Sequence, residues 1–254
     1  MGLARRVTLS IAAAVSLMAA LTVASVGAAG GFGQAPGHYN FNDTGASVSA
    51  FNPVDQSSEN ISVDRSLFRF RPKGGGGFVT QNMTVLFVDV FVPNIDPTQP
   101  PLVSAFGCFV IPASDFTVSS DLQTALLNAT VNESDFCPGF LSPVFGPAGG
   151  KGPGPGPGGS GLTFPLTVTG SWTGTGLVGD QSDHGLFTCG TFRSITSTDS
   201  QTAFSSSVSA TISGFASISG GMNVFGTVNV NAQQLQVTGT GILPAGCFPG
   251  GKGG

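Results

Sequence analysis

Phe204-Ser-Ser-Ser-Val-Ser-Ala-Thr-Ile212 decides the fold class. Every second position gives Phe204, Ser206, Val208, Ala210 and Ile212, while the opposite set, Ala203, Ser205, Ser207, Ser209, Thr211 and Ser213, is small or polar. A period of two belongs to a β-strand, whose successive side chains leave opposite faces, so one face is expected to be buried and the other wet. Gly220-Gly221 then marks a hairpin, after which Met222, Val224, Val228 and Val230 return on one face against Asn223, Thr227, Asn229 and Asn231. Leu235, Val237 and Leu243 carry the alternation into what reads as a third strand. The pattern predicts three consecutive antiparallel strands.

Outward from this segment the same signal recurs. Leu166, Val168 and Trp172 alternate in one predicted strand, and Phe187, Cys189 and Ile195 in another. Ile61 to Arg71 places Phe68 and Phe70 on one face and Arg65, Arg69 and Arg71 on the other, whereas Thr84 to Val92 is apolar on both faces, as a central strand would be. Further strands are expected at His38 to Phe51, Ser104 to Ile111 and Gln123 to Asn132, and the nearest thing to a helix is one turn within Ser119 to Leu127. The expectation is an all-β protein of roughly ten strands, an antiparallel β-sandwich or jelly-roll-like fold.

Gly146 to Gly161, rich in glycine and proline, interrupts this order. Proline removes amide donors and glycine adds backbone entropy, so the stretch reads as a flexible loop or linker. Its Gly-Pro alternation has period two and therefore not the period of collagen. The preferred organisation is one β domain over 30–254 with 146–161 inserted; the alternative is two small β domains, 30–145 and 162–254.

Residues 1–29 read as an export signal: Arg5 and Arg6, an apolar run from Val7 to Val26, and small residues at Val26-Gly27-Ala28-Ala29 for cleavage. Thr8, Ser10, Ser16, Thr22 and Ser25 dilute the run below what a stable membrane span wants. Both the general secretory and the twin-arginine routes accept such a segment; the pair lacks a strong flanking motif, which favours the former. Removal leaves about 225 residues, enough for one large β domain or two small ones. Only 9% of the chain is charged, against about 25% in an average soluble domain, yet its 21 Phe can supply a core. A net charge of −4 with 9 Lys and Arg excludes a nucleic-acid footprint.

An even number of cysteines in an exported chain points to disulfides. Cys108, Cys137, Cys189 and Cys247 have no finger-like spacing, and His38 and His184 are not in ligand pairs, so no metal or other cofactor is expected. The expected pairing joins sequence neighbours, Cys108 with Cys137 and Cys189 with Cys247. In the loop-entropy picture each closure stabilises by roughly 3 to 4.5 kcal/mol.

Few residues offer chemistry. His184 with Asp180 and Asp183, in Gly179-Asp-Gln-Ser-Asp-His-Gly185, could be a base oriented by a carboxylate, but Asp, Gly and Ser are also what a hairpin turn requires, and the turn is the expectation. Asp89, between Phe87 and Phe91 on a strand face, needs a partner, for which Arg65, Arg69 and Arg71 are the expected supply. Glu133 and Asp135 form a close acidic pair before Cys137, expected in a solvated loop. Sugar binding relies on exposed Trp or Tyr, and the chain has only Trp172 and Tyr39. Sequons occur at Asn42, Asn60, Asn82, Asn128 and Asn132 in a chain rich in Ser and Thr, where chance matches are common.

No catalytic, cofactor-binding or metal constellation emerges. The expected role is that of a secreted, non-enzymatic structural or interaction protein at or outside the cell surface, meeting an extracellular partner or copies of itself, with no stable membrane insertion after cleavage. A carbohydrate-binding module is the first alternative and a secreted hydrolase the second. Peptide mapping without reduction is expected to give Cys108–Cys137 and Cys189–Cys247 peptides; a Cys108–Cys189 peptide would overturn the pairing.

Overall fold

The computed structural model describes residues 36–137 except 75, 76, 78, 95, 97 and 100, together with 162–215 and 223–239. The export segment 1–29, the stretch 146–161, the Gly220-Gly221 turn, Met222, Leu243 and Cys247 lie outside the described residues. The strands are β1 (Gly37–Phe51), β2 (Ser58–Pro72), β3 (Val79–Val92), β4 (Val103–Ile111), β5 (Phe116–Val118), β6 (Thr124–Val131), β7 (Leu166–Cys189), β8 (Phe192–Ile212) and β9 (Asn223–Thr238). Two 3-10 turns, Ala113–Asp115 and Glu133–Asp135, complete the described regular structure.

The class is all-β and antiparallel, as the alternation predicted. All nine strands belong to one open sheet in the order β4-β3-β2-β1-β9-β8-β7-β6-β5. β1 bonds to both β2 and β9, and β6 bonds to β7, so strands from either side of 146–161 share the sheet.

Among the described residues no α-helix packs on the sheet, which curls to bury one face against itself. β6 shows the driving pattern most plainly: Ala125, Leu127, Ala129 and Val131 are buried while Thr124, Leu126, Asn128 and Thr130 are exposed. These buried side chains join Val48, Ile61, Leu86, Phe109, Leu166 and Ile212 in one core drawn from both ends of the sheet. Trp172 crosses that core, and its indole Nε1 donates to the Ser47 carbonyl at 2.9 Å, tying β7 to β1. Gly170 and Gly226 leave the slot it fills, since a Cβ would stand 2.5 Å from Trp172 Cη2 at the first and 3.0 Å from its Cδ1 at the second. Arg65 adds a second tie from β2, donating to the Ala113 and Phe116 carbonyls with its guanidinium over the Phe116 ring.

The edges also meet. Phe136 forms an antiparallel bridge to Phe109 on β4, the Cys137 amide donates to the Cys108 carbonyl at 2.9 Å, and Cys108 and Cys137 form a disulfide. Cys189 is also disulfide-bonded; its expected partner Cys247 lies outside the described residues.

Three strand expectations need correction. Phe204 points outward, 66% exposed, and Ala203 is buried in its place. The Ser206 hydroxyl donates to the carbonyls of Thr173 and Gly174, where the register between β8 and β7 shifts. That bulge reverses the phase, so Val208, Ala210 and Ile212 face the core but residues before it do not continue the same face. Second, Leu235 and Val237 are not a separate strand: they continue β9 in unbroken register with β1. Because they are odd-numbered and Val228 is even, they face the other side, where Val237 packs with Tyr39, Phe70 and Phe192 in a smaller cluster. Third, Phe187 and Cys189 end β7 while Ile195 lies on β8, the two strands being joined by a hairpin at Gly190, whose φ of 57° suits glycine. Nor does Ser119 to Leu127 make a helical turn: Ser119 and Leu122 close a turn and β6 starts at Thr124.

Trp172→Ala is expected to cost about 3–5 kcal/mol, the range for emptying a large aromatic site. Denaturant unfolding of the disulfide-intact protein checks it; a loss under about 1 kcal/mol would mean that the sheet closes without the indole.

Candidate functional site

The strongest electrostatic feature is a pair of carboxylates at mid-sheet on the face opposite the main core. In the β1–β2 ladder Gly45 stands opposite Asp64, and Asp43 opposite Ser66. A side chain at Gly45 would collide with the Asp64 carboxylate, so glycine makes the space that carboxylate occupies. The Ser66 hydroxyl donates to Asp43 Oδ1 at 2.9 Å and the Ser62 hydroxyl to Asp64 Oδ2 at 3.4 Å. Burial, reinforced by the charge of Asp43 and opposed by the Ser62 hydrogen bond, pushes the Asp64 carboxyl up to about 7. Asp43 is raised as well, by burial, against the pull of Ser66. Two such groups titrate as a unit that holds on to a proton well above the ordinary carboxylate range. This pair escaped the sequence reading because its members are far apart along the chain and only the hairpin register unites them.

The residues singled out from sequence are dispersed. Asp89 lies opposite Asn60, whose Nδ2 donates to Oδ2 at 3.2 Å; burial raises its pKa and the Asn60 bond opposes the rise. The expected arginine partner is corrected by parity. Asn60 shares the face of Asp89, and the odd-numbered Arg65, Arg69 and Arg71 belong to the other face of β2.

His184 is not in a turn. It lies within β7 opposite Ser197, while Asp183 lies opposite Thr198. Adjacent strand residues point to opposite faces, so Asp183 cannot orient the imidazole within one chain. Asp183 instead accepts from Gln181 Nε2 at 2.8 Å, and Asp180 accepts from Gln201 Nε2 at 2.8 Å. A Gly-bounded polar run and an exposed edge strand have the same composition, which is why the turn reading failed.

Glu133 and Asp135 sit on a 3-10 turn, where Asp135 Oδ2 accepts from the Asn132 amide at 2.8 Å. Glu59, not singled out from sequence, is buried with its Oε2 lacking a hydrogen-bond partner, and burial raises its pKa. Trp172 and Tyr39 are both buried, Tyr39 stacked on Phe70 at 4.5 Å, so they do not form an exposed aromatic platform. Among the described residues no group of three or more His, Cys, Asp or Glu side chains could hold a metal ion.

What the sheet exposes instead is apolar. β6 bonds to β7 only along Leu166–Thr173, so among the described residues Val178 to Cys189 has β8 on one side and no strand on the other. Leu177, Leu186, Ile195 and Phe204 are all exposed on this part of the sheet.

No family model and no curated protein matches the chain. Among solved structures, the chain resembles the crystal structure of a protein assigned as AttH from Nitrosomonas europaea, with 10% identity and a TM-score of 0.28. The match covers 82% of this chain and 53% of that one, and a likeness so distant carries no argument.

An acid whose pKa is raised by folding is held protonated in the native state, so native stability is lost as pH rises from 3.8 through about 7. Asp64→Asn is therefore expected to flatten the pH dependence and to stabilise the protein at pH 8 by about 1–3 kcal/mol. Urea midpoints at pH 5 and pH 8 check it; an equal fall in wild type and variant would show that Asp64 is not responsible.

Proposed function

We propose that this protein is exported, with residues 1–29 removed, and serves as a structural or interaction protein at or outside the cell surface rather than as an enzyme. The observation that carries the reading is the upper part of the sheet, where β7 leaves an edge without a partner strand among the described residues and apolar side chains stand in solvent on both faces. An unpaired edge offers main-chain donors and acceptors to an added strand, and exposed apolar residues beside it supply the burial that makes such pairing stable. The titratable residues support the same reading from the other side. Asp89 is matched to Asn60 and Asp183 to Gln181, while His184 stands in solvent, so these side chains are not assembled into one cleft.

The extracellular placement draws support from the Cys108–Cys137 disulfide, since such bonds persist in oxidising compartments. Among the described residues no helix is long and apolar enough to cross a membrane. In this reading the two halves of the curled sheet, meeting across Trp172, act as the two layers of a sandwich. The partner is a protein or wall surface outside the cell, and nucleic acid is not among the ligands. The burial of Trp172 and Tyr39 weighs against the carbohydrate-binding alternative.

Two measurements test the proposal. Fractionation of the producing cells is expected to place the protein outside the cytoplasm with its N-terminus near residue 30. Immobilised mature protein is then expected to retain a component of cell-surface or culture-medium fractions, less so when Leu186 and Phe187 are both changed to Ser. A cytoplasmic, uncleaved product would sink the localisation, and equal retention by the variant would remove the edge from the interaction.

A further inference from the structure

The edge of β7 that no described strand covers reads nearly the same from both directions. Val178-Gly-Asp-Gln-Ser-Asp-His-Gly-Leu186 has an apolar residue at each end, then glycine, then Asp180 and His184, then Gln181 and Asp183, with Ser182 at the centre. We propose that two copies of this chain pair antiparallel along this edge, about a two-fold axis through Ser182. The inference rests on the interaction role proposed above and names its partner: a second copy.

In an antiparallel pair, directly opposed residues share a face and their side chains meet. With Ser182 opposite the partner's Ser182, four kinds of cross-strand pair form, each twice. Val178 meets Leu186, which buries two side chains now exposed, the leucine 70% so. Gly179 meets Gly185, which lets the two backbones approach without obstruction. Asp180 meets His184: Asp180 Oδ1 already accepts from Gln201, and its second oxygen remains to accept an imidazole N–H. Gln181 meets Asp183, a pair whose chemistry is already made within one chain, where Gln181 Nε2 donates to Asp183 Oδ2.

Other registers lack this agreement. Centring the pair on Asp183, or on Asp180, sets a carboxylate against its own copy, which is destabilising in directly opposed positions. The register fixed by Ser182 also extends β8-β7 of one copy into β7-β8 of the other, a continuous sheet that uses the edge of both.

The test uses the mature, disulfide-intact chain. Sedimentation velocity over a wide concentration range is expected to show a monomer–dimer equilibrium. His184→Glu alone, which sets like charges opposite each other twice, is expected to weaken the dimer about ten-fold. Asp180→Lys alone removes the acceptor, and the double variant Asp180→Lys/His184→Glu is expected to restore dimerisation, because these positions oppose one another only in the Ser182 register. Ser182→Cys is expected to give an intermolecular disulfide under mild oxidation, while Val178→Cys, whose copy lies about 25 Å away along the strands, is not. A monomer at every concentration, a dimer indifferent to His184→Glu, or cross-linking at Val178→Cys would each overturn the proposal. Unchanged far-UV circular dichroism of each variant separates lost pairing from lost fold. A monomer that still retains a cell-surface component would remove the self-pairing and leave the interaction role intact, whereas a dimer that retains nothing would remove the outside partner alone.

Discussion

Among the described residues no helix covers the nine-stranded sheet, which buries its apolar face against itself, and Trp172 is the side chain through which it does so. Its ring occupies a slot left by Gly170 and Gly226, and its one polar atom reaches the Ser47 carbonyl on β1, a strand three places away in the sheet. A buried indole N–H without an acceptor would cost about 1–3 kcal/mol, so the hydrogen bond fixes how far the sheet must curl before the ring is satisfied. Arg65 and the Cys108–Cys137 disulfide hold the same curl from other points. The first anchors β2 to the segment beside Phe116, and the second joins edge strand β4 to the chain leaving β6.

The curl divides the sheet into unequal parts. Where β6 pairs with β7, along Leu166–Thr173, the core is covered from both ends of the sheet. Beyond the bulge at Ser206, β7 runs on with nearly all its side chains in solvent while many on β8 are half-buried, and apolar packing there is thinner: Ala203 and Val230 at the margin of the main core and, on the opposite face, the smaller cluster around Tyr39, Phe70, Phe192 and Val237. Local stability follows buried contact, so this part is the one able to exchange partners. The disulfide at Cys189 fastens it at its tip. A region both cross-linked and poorly covered by the described strands is suited to being covered by another chain.

Strand existence was legible in the sequence because alternation needs only local information. In β6 the burial of Ala125, Leu127, Ala129 and Val131 follows their spacing without exception. What sequence could not show is where alternation changes phase. Ser205, Ser206 and Ser207 are chemically indifferent to facing in or out, so the bulge there leaves no mark, and Phe204 was assigned to the wrong face. The Asp43 and Asp64 pair escaped for a different reason: contact across a hairpin depends on the register set by the turn at residues 52–57. Once Gly45 is known to oppose Asp64, the absent Cβ explains the carboxylate's place, but glycine alone announces nothing.

An unpaired edge invites unlimited addition of strands, and the arrangement of edges bears on whether addition stops. β5 is three residues long, β4 is met by Phe136, and on β3 only Val79–Met83 extends beyond the part that β4 covers. Pairing β7 of one copy with such a short stretch of another would leave most of the longer edge exposed and, since the two surfaces differ, would not close as a pair. Pairing β7 with itself consumes the long edge on both copies and closes. Asp180 and Asp183 then act as more than solubilising charges, because they oppose a donor in one register and a like charge in others. The same residues that keep the isolated edge wet thus favour the register centred on Ser182 over those that set a carboxylate against its own copy.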